Sequence, residues 1–261
     1  MFDDPDFDDH EQVAFVCDAG AKLHAIVALH STALGPAFGG CRMWPYATEA
    51  AALSDVLRLA RGMTYKAAIC DLPYGGGKSV IIGDPMRDKT PALLQAMGRA
   101  VESLGGRYVV ADDIGTTLDD LAIMRTVTTH TAAATPAARE PVAVTAFGVF
   151  VAIRAAVRHL LGEERLAGLR VAIQGLGNVG RPLAGYLREA GAELTLTDLD
   201  PVRNAQAARE LAAQAVDPHA IYDQPVDLFA PCALGAVLND RTIPRLKARI
   251  VCGGANNQLA E

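Results

Sequence analysis

Apolar positions along this chain recur with two periods, and each change of period marks an element. Residues 12–29 (QVAFVCDAGAKLHAIVAL) contain two short β-rich runs separated by Asp18, Ala19 and Gly20, a pattern that predicts a hairpin. From Thr48 to Met63 the residues Leu53, Val56, Leu57, Ala60 and Met63 keep helical spacing, with Glu49 near the positive end of the dipole. The expected helix delivers Lys66 just beyond its end. The next helix is better punctuated: Thr90 as N-cap, Pro91 at the first helical position, Leu93, Leu94, Met97, Val101 and Leu104 on one face, then Gly105 and Gly106. A β-rich run from Tyr108 to Ala111 follows and ends at Asp112 and Asp113, which places two acids at the rim of a sheet.

Around residues 131–144 (TAAATPAAREPVAV) the periodicity fails and prolines and polar residues intervene, which sets the connection between two domains there, 1–140 and 141–261. Two domains suit the length, because single cores stop growing near ~250–300 residues. Beyond the connection, Ala146 to Leu161 is helical in pattern, Leu169 to Gln174 reads as a buried strand, and a glycine turn leads into a helix near Asn178 to Ala190. A second strand, Glu193 to Thr197, completes a βαβ unit. The class expected is α/β.

The formal charge of −6 and the pI near 5.5 leave no basic surplus to neutralise a phosphate backbone, so nucleic acid is excluded as a partner. The cysteines Cys17, Cys41, Cys70, Cys232 and Cys252 are scattered and never spaced CxxC, which fits buried free thiols in a reducing compartment. The N-terminus opens MFDDPDFDDHEQ, too acidic for a signal peptide, and no apolar run approaches ~18 residues, so a cytoplasmic protein without a membrane partner is expected. No HxxxH or HExxH spacing occurs, and no metal site is expected.

The turn after Gln174 reads GLGNVG. Gly175 permits the tight turn, Gly177 removes a Cβ that would block a pyrophosphate, and Gly180 lets the helix pack on the strand, while Asn178 and Val179 lead into the helix whose amides face the phosphate. Asp198 closes the second strand 23 positions after Gly175, close to the ~20 expected of an acid that binds a ribose 2′-OH. A carboxylate there repels a 2′-phosphate, so NAD is the expected cofactor. Asp200 is the alternative for the same role.

The segment MTYKAAICDLPYGGGKSVIIGDP carries Lys66 and Lys78. Lys78 stands between a glycine run and the apolar Val80, Ile81 and Ile82, which desolvates its amine. Desolvation and a nearby cation both lower a lysine pKa toward that of a general base, and Lys66 is the candidate cation. These segments, together with GPAFGGCRMW, ADDIGTT, VTAFGV, APCALGAVLND and GGANNQL, resemble in order and spacing the signature of the Glu/Leu/Phe/Val amino-acid dehydrogenase family, most of all its leucine dehydrogenases.

The resemblance runs from about residue 12 to the end and implies an N-terminal α/β substrate domain, also used for dimerisation, followed by a Rossmann-type NAD domain. It implies that Lys66 binds the substrate carboxylate, Lys78 activates water and Asp113 shuttles protons at the substrate nitrogen. Gly39 and Gly40 would line the substrate site, Asn257 would position the carboxylate, and Thr145 would lie beside the nicotinamide carboxamide. The reaction implied is NAD-dependent oxidative deamination: hydride leaves Cα for NAD, water deprotonated by Lys78 attacks the iminium, and the carbinolamine collapses to 2-oxo acid and ammonia.

Glutamate-specific relatives resemble PxKGG before the paired glycines, with the lysine binding the side-chain carboxylate. Here Phe38 takes that place, so an apolar L-amino acid is the expected substrate (leucine, valine, isoleucine or phenylalanine), since these differ by pocket volume alone. The resemblance implies further segments after ANNQLAE, so the C-terminal part of the NAD domain is expected to be incomplete, with strands expected near 169–174, 193–197, 226–230 and 248–252 and an uncovered edge after the last. A homo-oligomer is expected. The second reading is a truncated, non-catalytic NAD-binding or oligomer-forming relative.

Overall fold

The structure, a computed structural model, describes residues 2–132, 141–162 and 164–260. The chain divides into two compact units, Met1–Thr135 and Pro136–Glu261. The predicted connection lies largely within 133–140, outside the described residues, although its last positions already belong to a helix that begins at Pro141.

The first unit is built on a five-stranded sheet ordered β1-β2-β4-β3-β5, from β1 (Gln12–Asp18), β2 (Leu23–Ser31), β3 (Ala37–Trp44), β4 (Gly75–Ile82) and β5 (Tyr108–Asp112). β1 and β2 form the expected hairpin, with Gln12 opposite Leu29 and Asp18 opposite Leu23. β2 pairs antiparallel with β4, and β3 runs parallel to β4 and β5. Both faces of β2 are covered. Ile26 and Ala28 meet Val56, Leu57 and Ala60 of α1 (Glu49–Ile69). Leu23, Ala25, Val27 and Leu29 point the other way, to Leu94 and Met97 of α2 (Pro91–Glu102) and Leu121 and Met124 of α3 (Leu118–Met124). Burial on both sides is why β2 reads as a nearly continuous apolar run.

The α2 punctuation holds in detail, for the Thr90 hydroxyl accepts from the Leu93 amide at 3.2 Å and Pro91 opens the helix. Helix α1 runs further than its periodicity predicts, so Lys66 sits in its last turn instead of beyond it. Ala67 and Ala68 sustain the helix, and the chain leaves it only at Asp71, whose φ of 52° is left-handed. Strand β3 and helix α3 were not foreseen, because the glycine pair inside β3 breaks its alternation and α3 is only two turns long.

The second unit holds a parallel sheet ordered β10-β9-β6-β7-β8, from β6 (Arg170–Gln174), β7 (Glu193–Thr197), β8 (Gln214–Ala215), β9 (Leu228–Pro231) and β10 (Ile250–Val251). The expected βαβ unit is β6, α5 (Gly180–Glu189) and β7; α4 (Pro141–Leu161) precedes it and α6 (Pro201–Glu210) follows it. Val171 and Ile173 pack with Ile153 and Val157 of α4 and Leu183 and Leu187 of α5, while Ala172 packs on the opposite face with Ile221, Tyr222 and Phe229. The edge strand β8 carries no apolar pattern and was not foreseen.

Two expectations need correction. Cys17 and Cys70 are exposed, so burial describes Cys41 fully and Cys232 and Cys252 in part. Val144–Leu161 of α4 is the one stretch among the described residues long and apolar enough to cross a membrane, although no such run was expected. Within the unit Ala146, Ile153 and Val157 of this helix are core residues, and Arg154 and Arg158 pair with Glu164.

Close packing of α1 on β4 rests on the glycine run. A Cβ at Gly76 would lie 2.1 Å from the Thr64 amide nitrogen, a backbone atom of α1 that cannot step aside alone. Gly76→Ala is therefore expected to lower unfolding stability by about 1–3 kcal/mol in urea titrations. Gly185→Ala, on α5 where a Cβ meets nothing within 4 Å, serves as the counterpart and is expected to raise stability by about 0.5–1 kcal/mol.

Candidate active site

In the first unit, chemistry-bearing side chains converge from β3, β4 and the end of β5. Parallel pairing sets Gly40 beside Ala111 and Cys41 beside Asp112, so the residue after β5, Asp113, emerges next to β3. The turn is clamped by Thr116, whose hydroxyl donates to the Cys41 carbonyl at 2.6 Å and accepts from the Asp113 amide at 3.0 Å. Lys78 is 3% exposed, and its Nζ lies 2.8 Å from Asp113 Oδ2. Gly40 keeps this corner open, since a Cβ there would lie 2.7 Å from Asp113 Cβ and 3.2 Å from Lys78 Nζ. Gly39 is held from below, where the buried Tyr108 hydroxyl donates to its carbonyl at 2.9 Å.

A residue not singled out from the sequence completes the cluster. Arg42, 5% exposed, donates from Nε to the same Asp113 Oδ2 at 3.0 Å and from its terminal nitrogen to Asp55 Oδ2 at 2.8 Å. The Tyr46 hydroxyl donates to that Asp55 oxygen at 2.5 Å. Burial acts most strongly on Lys78 and pushes its pKa down; Asp113 opposes and Arg42 assists, and the net direction is down. For Asp113, burial pushes the pKa up, but Lys78 and Arg42 outweigh it and hold the carboxyl below its ordinary value. The cation acting on Lys78 is thus Arg42, where the sequence pointed to Lys66. Burial pushes the neighbouring Cys41 thiol up to about 12, so it stays neutral.

Lys66 is exposed in the last turn of α1. Phe38 is half-buried near the start of β3 with its ring 5.2 Å from that of Tyr74. Arg42 was legible in one respect: it follows Gly40 by two positions and therefore shares a strand face with it. Asp55 and Tyr46 carried no signal, because they meet Arg42 only when α1 lies on the sheet.

The second unit carries the glycine turn between β6 and α5. Gly175 adopts φ 91°, and a Cβ at Gly180 would lie 1.8 Å from the Gly175 carbonyl oxygen, so both positions demand glycine. A Cβ at Gly177 would meet nothing within 4 Å; that side of the turn is open, as a pyrophosphate cradle must be. No side chain caps α5, whose N-cap is Val179, so its first amides are not taken by a capping residue, and Asn178 before it is exposed.

Asp198 accepts from the Leu176 amide at 2.7 Å and from Arg203 at 3.3 Å. Asp200 is used as the N-cap of α6, accepting from Val202 and Arg203 amides. Thr145 is exposed at the start of the second turn of α4. Asn257 has a left-handed φ of 47°, and its carbonyl accepts from the Ala236 amide at 2.7 Å. The donors, open turn and acid fit a dinucleotide.

Comparison with known proteins supports the same assignment. Residues 10–130 match the model of the Glu/Leu/Phe/Val dehydrogenase dimerisation domain, and residues 138–202 match that of Glutamate/Leucine/Phenylalanine/Valine dehydrogenase. The chain belongs to the Glu/Leu/Phe/Val dehydrogenase family. It is 48% identical over 256 residues to leucine dehydrogenase of Geobacillus stearothermophilus, covering 97% of this chain and 70% of that protein. The structure of L-tryptophan dehydrogenase from Nostoc punctiforme superposes with a TM-score of 0.70 at 46% identity, covering 97% of this chain and 72% of that one. A hetero-hexameric glutamate dehydrogenase from Thermus thermophilus shares the fold, with a TM-score of 0.77 at 21% identity, over 96% of this chain and 68% of that one. The leucine dehydrogenases of this family use NAD, which agrees with the open glycine turn and Asp198.

Proposed function

We propose that this chain oxidatively deaminates an apolar L-amino acid with NAD, and that Lys78, Asp113 and Lys66 perform the protein's part of the chemistry. The observation that carries the assignment of residues is the buried contact of Lys78 Nζ with Asp113 Oδ2 at 2.8 Å, a base candidate and a proton shuttle already in hydrogen-bond reach. NAD, when bound at the glycine turn, supplies the acceptor for the hydride from Cα. Lys66, exposed and cationic, binds the substrate carboxylate. Lys78, depressed by burial and by Arg42, takes the proton from the attacking water, and Asp113 moves protons at the substrate nitrogen. Gly39 and Gly40 let the substrate approach the β3 backbone, Asn257 orients its carboxylate, and Thr145 lies beside the carboxamide of the cofactor. Gly175, Gly177, Asn178, Val179 and Gly180 hold the pyrophosphate, and Asp198 the ribose.

Phe38 sets the substrate class. A side-chain carboxylate placed against the half-buried Phe38 and Tyr74 rings would be desolvated without a cation, at a cost of several kcal/mol, whereas an aliphatic or aromatic side chain is desolvated favourably. The similarity to dehydrogenases of leucine and tryptophan supports an apolar side chain.

The two lysines are expected to fail in different ways when changed to alanine. Lys66→Ala removes a charge that holds substrate in ground and transition states alike and is expected to raise KM roughly 10–100-fold with a smaller effect on kcat. Lys78→Ala removes the base and is expected to lower kcat by roughly 10²–10⁴-fold. In the unmodified protein the rate rises with pH as Lys78 loses its proton, with that limb below the ordinary lysine value of 10.5. NADH formation at 340 nm with leucine measures all three, and full turnover in Lys78→Ala would remove Lys78 from the mechanism.

Cofactor choice follows from Asp198. Asp198→Ala deletes a ribose acceptor and releases Arg203 from its 3.3 Å pairing, so NAD binding is expected to weaken roughly 10–100-fold while NADP gains a cation for its 2′-phosphate. Titration of intrinsic fluorescence with each dinucleotide checks this, and unchanged NAD affinity with NADP still rejected is the contrary outcome.

Self-association belongs to the same reading. Its support is the match of residues 10–130 to a dimerisation domain and the position of β1 at a sheet edge with one side unpaired in the sheet order. Sedimentation equilibrium at micromolar concentration is expected to return a multiple of 27.4 kDa, and a monomeric mass would contradict it.

A further inference from the structure

Asp113 Oδ2 receives two cationic donors, Lys78 at 2.8 Å and Arg42 at 3.0 Å. A lysine alone against a buried carboxylate is held protonated, because losing its proton would strand the negative charge. Such a lysine makes a poor base. A guanidinium keeps its charge throughout the accessible range. With Arg42 in place, Asp113 retains a counter-ion when Lys78 is neutral.

The fork is itself fixed from behind. Asp55, on the face of α1, takes the other end of Arg42 at 2.8 Å, and the Tyr46 hydroxyl takes the same Asp55 oxygen at 2.5 Å. This row leads outward: the side chains of Lys78 and Arg42 are 4% and 6% exposed, and that of Asp55 27%.

We infer that Arg42 is a positioning residue for the deamination chemistry, a permanent counter-ion that holds Asp113 and frees Lys78 to give up its proton, with Asp55 and Tyr46 setting the guanidinium. The inference rests on the reading of Lys78 as the base. The other titratable groups around Lys78 do not supply the charge: Cys41 of β3 and Tyr108 of β5 are both kept neutral by burial. The charges that face it are therefore Arg42 from β3, Asp113 from the turn after β5, and Asp55 from α1, behind which stands Tyr46.

Substitutions of opposite charge effect separate this role from a structural one. Arg42→Met removes the cation, so Lys78 holds its proton to higher pH, and the rising limb of kcat is expected to move up by about 1–3 pH units. Asp55→Asn keeps the cation and removes an anion that favours protonated Lys78, so the limb is expected to move down, by less than one unit. Tyr46→Phe leaves every charge in place and is expected to lower kcat with the limb unmoved. A structural Arg42 would instead depress kcat equally at every pH, and that result, or shifts of the same sign in both charge variants, overturns the inference.

Lys78 is also followed without turnover, by the pH dependence of its ¹³Cε shift in lysine-labelled protein, with the signal assigned by its loss in Lys78→Arg. If Arg42→Met does not fold, Asp55→Asn alone decides by the direction of its shift. If Lys78→Ala keeps full turnover, the base assignment fails on its own account. Should the ¹³Cε titration stay put in Asp55→Asn and Arg42→Met while Lys78→Ala is inactive, the base stands and the role of Arg42 falls.

Discussion

A single carboxylate oxygen, Asp113 Oδ2, organises the first unit, because two buried cations reach it and neither has water to fall back on. Transferring such charges from water costs several kcal/mol each, and their attraction offsets this only when geometry is good and every partner is present. The arrangement therefore constrains everything that delivers the partners: the register of β3 against β4 and β5, the turn clamped by Thr116, and the seat of α1 that brings Asp55 to Arg42. A slip of one residue in β3 would turn Arg42 to the opposite face and leave Asp113 with one cation.

Glycines make that geometry available by withholding side chains. Gly76 lets the α1 backbone settle on β4, and Gly40 leaves the corner between Lys78 and Asp113 vacant. The same logic operates in the second unit, where Gly180 lets α5 meet the β6 turn and Gly177 leaves open the side of the turn that a pyrophosphate needs. The candidate site draws Lys78 from within β4 and Asp113 from the turn after β5, and the cores beneath them are conventional two-sided α/β packing.

Charge is distributed unequally between the roles. Lys66 is exposed, which suits a group that must be protonated to bind an anion, while Lys78 is buried, which suits one that must lose a proton. The roles proposed for these two lysines, twelve residues apart, follow from their solvent access and, for Lys78, from the charge of Arg42 beside it.

By itself the sequence determined the α/β class, the hairpin, the capped helix α2, the βαβ unit with its glycine turn, the family, and Lys78 and Asp113 as separate site candidates. These features are local, written as period, punctuation or motif spacing. Strand β3, the extension of α1 through Lys66, the exposure of Cys17 and Cys70, and the identity of the cation beside Lys78 were decided by the tertiary structure. Their cause is contact between residues far apart in the chain: Arg42 finds Asp113 across 71 positions and Asp55 across 13, and no periodicity records which side chains a sheet and the helix upon it will bring within 3 Å.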